Sequence, residues 1–228
     1  MVIDFVPFIL AIVLGIAYHL ANQVDLKHKK YYAAMISFSS GISITYLTLS
    51  LFPDFTIGAI LIHPLLFFSV LGGFSLHHIV EKSIYINHPK HDIIKLLSLE
   101  ERVFYFAYHF ILGILLVFFS KESFLGTILF FIPIFAYSLV SSLTTEPYDV
   151  KRHSWLASSA TFWGVVLIAI IWRFIPIWIY FLLMGIVVGI LLYSIVRHHI
   201  PFGKKGDPTY FLIGALIYSV LVVMSWYF

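Results

Sequence analysis

The chain has 228 residues, 61% of them hydrophobic and only 11% charged, with no cysteine and a formal net charge of +3. That usage excludes an ordinary soluble globular domain. The missing cysteine excludes a disulfide framework and any thiolate metal centre, so a bound metal would need nitrogen and oxygen ligands.

The first apolar run, FVPFILAIVLGIAYHLA from Phe5, has no basic segment before it and no small-residue cleavage site after it. It reads as a retained helix rather than a signal peptide. A spanning helix needs about 20 apolar residues, and the chain divides into eight such runs, at 5–22, 31–52, 58–80, 103–119, 124–144, 154–172, 176–196 and 209–227. Residues 1–228 therefore read as one polytopic transmembrane domain, an all-α bundle of eight helices in a lipid bilayer. Between the third and fourth runs, IIKLLSLEERV predicts a short amphipathic helix lying at the membrane surface.

Charge sets the expected orientation. One set of alternate loops holds Lys27, Lys29, Lys30, Lys82, Lys90, Lys95, Arg102, Lys151, Arg152, Arg197, Lys204 and Lys205, and the other only Lys121 and Arg173. Both termini are then expected on the non-cytoplasmic side. The same asymmetry accounts for the basic excess, which carries no nucleic-acid signal. Lack of a targeting segment fits a prokaryotic plasma membrane.

Small and polar residues inside the runs carry the remaining signal. Gly185 and Gly189 form a GxxxG, read either as close packing within the chain or as the face of a homodimer. The second run contains SFSSGISITYLTLS, seven serine and threonine hydroxyls in fourteen residues. Ser39, Ser43 and Ser50 lie close to one helical face, which fits a water-accessible wall and close packing equally well.

Phe38-Ser39-Ser40-Gly41 followed by Leu51-Phe52-Pro53-Asp54 resembles the second helix of the ZIP (Zrt-, Irt-like) family of divalent-metal transporters, with Phe52 in place of a leucine. Leu71-Gly72-Gly73-Phe74 through Glu81-Lys82 is similar to that family's third helix. Gly189, Tyr193 and Pro201 repeat its seventh-helix spacing, and Gly214 falls where its eighth helix keeps glycine. The resemblance implies eight spans with both termini outside, and transport of a small cation such as zinc, manganese or iron.

The departures from the family lie at its metal site, which the fourth and fifth helices build from histidine and carboxylate one turn apart. Aligned on Gly113, Tyr108 takes the histidine position and Leu112 the acidic one, with His109 alongside. The fifth helix reads Phe135-Ala136-Tyr137-Ser138-Leu139-Val140-Ser141-Ser142, without histidine or acid, and Ser50 stands where the second helix often has histidine. Hydroxyls alone are poor ligands for a transition metal in a low-dielectric interior. The implied route runs past Ser39, Ser43, Ser50, Tyr108, Tyr137 and Ser141.

Ionisable residues within spans mark function by default. His109, His77, Glu81 and His19 are the candidate metal ligands, gathered at the cytoplasmic ends of three helices, with solvated interfacial groups as the alternative. His63, beside Pro64, reads as a hydrogen-bonded helix-entry residue. Three functions are thus expected: a permease with a degenerate metal site, a non-transporting scaffold on the same fold, and an electron-transfer protein holding haem between two histidines such as His19 and His77, His78 or His109. No nucleophile, base and acid cluster at membrane depth suggests an enzyme.

Overall fold

The computed structural model describes residues 4–21, 31–144, 155–199 and 206–227; the side chains at 90, 94, 98, 101, 141–144, 155–157 and 198–199 are outside the described set. Every regular element among these residues is helical. Eight rods follow one another. They are α1 (Val6–Ala21), α2 (Tyr32–Ile62), α3 (Pro64–Asn87), α4 (Lys90–Glu122), α5 (Phe124–Thr144), α6 (Trp155–Ile171), α7 (Ile177–Ser194, continued by a π turn at Ile195–His199) and α8 (Pro208–Ser225).

Local chemistry sets where the rods begin. The Asp207 carboxylate accepts from the amides of Thr209 and Tyr210 at 3.0 and 3.4 Å, with Pro208 at the first helical position. Asp4 accepts from the Val6 amide at 3.0 Å ahead of α1. Ser123 separates α4 from α5, and its hydroxyl accepts from Gly126 N at 2.9 Å. His63 Nδ1 accepts from Leu65 N at 3.2 Å, so His63 is the helix-entry residue its sequence neighbours suggest.

Two boundaries differ from the sequence expectation. The second rod does not stop at residue 52 but continues through Pro53 to Ile62, and the third starts at Pro64 rather than 58. A wide π turn at Leu47–Leu51 immediately precedes Pro53. Proline removes one donor and crowds the carbonyl four residues back, and the loosened turn gives the ring room, so the helix absorbs it. Likewise the amphipathic stretch before residue 103 is not a separate surface helix. It is the first third of α4, a continuous rod of 33 residues.

Five rods are long and apolar enough to cross a membrane: Tyr32–Ile62, Pro64–Asn87, His91–Glu122, Ile177–Arg197 and Pro208–Ser225. Val6–Ala21, Phe124–Val140 and Ser158–Phe174 are equally apolar but shorter. Large apolar side chains such as Ile60, Ile79, Ile170 and Leu216 stand more than half exposed, as a lipid-facing surface requires. The core beneath holds fully buried Leu51, Phe55, Leu115, Val165, Met184 and Ile195.

The packing has an internal order. The closest helix pairs are α2 with α8, α4 with α6, α3 with α7 and α1 with α6; next come α2 with α7, α2 with α5, α4 with α5, α1 with α5 and α4 with α7. Exchanging α1, α2 and α3 for α6, α7 and α8, and α4 for α5, returns the same set of pairs. Glycines mark the two crossings that this exchange interconverts. On the α2–α8 crossing, Gly41 lies against the backbone of Phe211 and Ala215 while Gly214 lies against that of Phe38. On α3–α7, Gly73 lies against Ile186 and Gly189 against Val70 and Phe74. A π turn begins six residues after Gly41, at Leu47, and six residues after Gly189, at Ile195. Pro53 and Pro201 stand twelve residues after the same two glycines.

This packing also uses the GxxxG of α7 within the chain. Gly189 meets α3, and a Cβ on Gly185 would sit 2.7 Å from the Phe55 ring of α2. These contacts fit the first of the two readings of the motif, close packing within the chain.

Candidate functional site

The helix face singled out for its hydroxyls is buried. Ser39 and Ser43 are 2% and 1% exposed, and neither hydroxyl has a hydrogen-bond partner among the described residues. Tyr46, seven positions after Ser39 and on the same face, is likewise buried with its phenol unpaired, its ring edge-on to Tyr218 of α8 at 6.1 Å and to Phe130 of α5 at 6.2 Å. From α4, Tyr108 adds a fourth unpaired buried hydroxyl, and its ring meets Tyr137 of α5 at 5.9 Å. Ser40 behaves differently: its hydroxyl bonds back to the Ile36 carbonyl at 2.7 Å. Ser50 is half-buried and sits opposite the Asp54 carboxylate at 3.5 Å, away from the others. The Ser141 side chain falls outside the described residues, although its backbone belongs to α5.

His109 occupies the other side of α4. It is 1% exposed, and its two ring nitrogens lie 3.2 Å from the Thr161 hydroxyl of α6 and 3.1 Å from the Ser138 hydroxyl of α5. An imidazole with one donor and one acceptor satisfies both contacts in its neutral form. Tyr105, one turn earlier, stacks on the ring at 4.0 Å, and Tyr18 of α1 stacks on Tyr105 at 4.2 Å. Four helices therefore meet at His109, and its nitrogens are already committed.

A separate ionic cluster ties α3 to α4 and α7. His77 Nε2 is 3.2 Å from Glu100 Oε1, and both side chains are about nine-tenths buried. The His77 ring lies between Phe104 at 4.4 Å and Tyr193 at 4.6 Å. Glu81 accepts from Arg197 through Nε at 3.2 Å and a terminal nitrogen at 3.0 Å, and the Tyr193 hydroxyl donates to its second oxygen. The Glu81 side chain is 8% exposed and that of Arg197 52%, so a buried carboxylate is held from the rim by a half-solvated guanidinium. Internal symmetry recurs here. His77 follows Gly73 by four residues and reaches α4, while Tyr218 follows Gly214 by four and donates to the Leu129 carbonyl of α5.

The four expected metal ligands therefore do not assemble. Glu100 and Phe104 put His77 on one face of α4, Tyr193 and Arg197 hold Glu81 against α7, Tyr105 puts His109 on another face of α4, and His19 is half-buried on α1. Among the described residues no three histidine, aspartate or glutamate side chains come together as a metal site. The physical reason is that each anion and imidazole has found a partner of another kind: Arg197 and Tyr193 for Glu81, Glu100 for His77, hydroxyls for His109.

Sequence reading missed Glu100, Tyr46, Ser138 and Thr161. Glu100 sat in a stretch taken for a surface helix. Tyr46 was legible as the i+7 partner of Ser39, whereas Ser138 and Thr161 reach His109 only through the tertiary fold. No protein-family model matches this chain, and no curated protein matches it.

Proposed function

We propose that this chain is a membrane permease on a ZIP-like plan, moving a small solute by alternating access between two inverted halves. The observation that supports it is the exchange symmetry of the packing, together with its glycine crossings and paired π turns. If all eight rods cross the bilayer in turn, helices five apart in order run in opposite directions. The axis relating α1–α3 to α6–α8 then lies in the membrane plane. Transporters built from inverted repeats hold their substrate near the midplane where the repeats meet, here among α2, α4, α5 and α7, of which α2 carries the unpaired hydroxyls of Ser39, Ser43 and Tyr46 and α4 that of Tyr108.

In this reading the twelve basic residues of one loop set face the cytoplasm. The Glu81–Arg197 and His77–Glu100 cluster, close to Lys82 and Arg102, then closes the cytoplasmic end, and its symmetry mate around Thr45, Tyr46 and Tyr218 has no charges. A divalent cargo would need carboxylate or imidazole ligands along the route, and the partners found for Glu81, His77 and His109 argue against it.

The natural absence of cysteine gives a direct test, because one introduced thiol is the only one in the protein. Ser43→Cys in sealed vesicles is expected to react with a membrane-impermeant thiol reagent added from either side, each within minutes. Reaction from neither side refutes transport through this face and leaves the scaffold reading.

A further inference from the structure

Resting on the permease reading, we infer that the site formed by Ser39, Ser43, Tyr46 and Tyr108 takes a small uncharged hydrogen-bonding solute, between water and glycerol in size, and not a metal ion. The first three residues follow one another at intervals of four and three along α2, spanning roughly 10 Å of one face at 1.5 Å per residue. Each is at most 2% exposed, and Tyr108 is 3% exposed. Their four oxygens are without hydrogen-bond partners among the described residues.

A lone serine in a helix ordinarily turns its hydroxyl back to a carbonyl three or four residues earlier, as Ser40, Ser69 and Ser120 do at 2.6–2.9 Å. Ser39 and Ser43 do not. Buried polar groups left unpaired by the protein call for a partner from outside it. Each hydroxyl supplies one donor and two acceptor positions, a mixed set that suits a solute able to both give and accept hydrogen bonds.

Charge decides against an ion. Glu81 is neutralised by Arg197, His77 is paired with Glu100, and His109 is held by Thr161 and Ser138 on another face of α4. Asp54 is exposed on α2. Among the described residues no carboxylate, imidazole or cation bonds any of the four oxygens, so an ion entering here would lose its hydration without a charged ligand in its place. The Tyr46 ring is edge-on to Phe130 and Tyr218, and the Tyr108 ring to Tyr137, aromatic surfaces that offer apolar contact to the carbon skeleton of a small polyol.

The test is stopped-flow light scattering of proteoliposomes challenged with water, urea or glycerol gradients, run beside uptake of radioactive zinc and manganese. Wild-type vesicles are expected to equilibrate at least one neutral probe faster than protein-free vesicles, with metal uptake at background. Tyr46→Phe and Tyr108→Phe each remove one oxygen and keep the ring. Each is expected to slow that flux by about fivefold, the worth of one hydrogen bond near 1 kcal/mol. Thermal stability checked alongside should hold or rise, which separates a lost contact from a damaged fold. Metal uptake without neutral flux overturns this inference alone, as does neutral flux unchanged in both variants. No flux of any probe, with no labelling of Ser43→Cys, overturns the permease reading and this inference with it.

Discussion

Gly72 and Gly73 are neighbours in sequence with opposite surroundings, and an alanine at each separates the two effects a glycine has in a helix. At Gly73 an added Cβ would stand 3.1 Å from both the carbonyl carbon and the Cα of Ile186, and closer still to the Ile186 oxygen. Optimal carbon separations are about 3.5–4.0 Å, and the obstacle is helix backbone, so α3 and α7 must part. Overpacking of this kind costs about 1–3 kcal/mol. At Gly72 nothing lies within 4 Å, and the gain in helix propensity is about 1 kcal/mol. The propensity gain is common to both positions, so the two variants should differ by the overpacking alone, about 1–3 kcal/mol, which at 2–4 °C per kcal/mol for a chain of this length is a gap of about 2–12 °C in Tm. Tryptophan fluorescence during heating in detergent reads this directly, since the protein has five tryptophans. Gly73→Ala melting at or above Gly72→Ala would refute the close crossing of α3 on α7, and with it the symmetric pairing of the two halves.

Other substitutions probe the clusters. Arg197→Met strands a buried Glu81 carboxylate with Tyr193; discounting the 3–5 kcal/mol of a fully buried pair because Arg197 is half exposed, a loss of about 1–3 kcal/mol is expected. Adding Glu81→Gln to that variant should return most of the lost Tm. His109→Leu leaves the Ser138 and Thr161 hydroxyls without the ring, an expected loss of about 1–3 kcal/mol, whereas zinc carried by the purified protein, read by elemental analysis, should be as low in wild type as in the variant. Tyr218→Phe removes the tie from α8 to the Leu129 carbonyl, for about 1 kcal/mol by the same melting assay.

The eight rods were legible because hydrocarbon thickness imposes a length that apolar runs either meet or do not. Their ends were less so. Pro53 reads as a terminator unless the π turn ahead of it is known, and that turn leaves no residue signature in LTLSL. The extension of α4 through 90–102 was hidden by its polarity, which suits a helix in water as well as one at an interface. At the site, Ser39 and Ser43 were visible because intervals of four residues make a face. The alternatives of lining and packing could not be told apart in sequence, since both call for small residues. The unpaired oxygens favour lining. His109 attracted attention as an intramembrane imidazole, but its partners are 29 and 52 residues away, and no periodicity announces contacts at that range. The repeat was present in the sequence as Gly41 to Pro53 and Gly189 to Pro201, equal intervals in runs otherwise too different to align by eye.

The length of α4 has a mechanical consequence. At 1.5 Å per residue its 33 residues extend about 50 Å, against a hydrocarbon core of about 30 Å. A rod of this length crossing upright would leave roughly 20 Å outside the hydrocarbon, and with the polar end outside that arm would begin near Glu100, where His77 pins it to α3. A 10° swing of that arm carries its tip by about 3.5 Å, and the same rotation reaches Tyr105, Tyr108 and His109 further along the rod. Load applied to that arm, or exchanged with a headgroup layer, thus has a lever on the interior that no hinge interrupts.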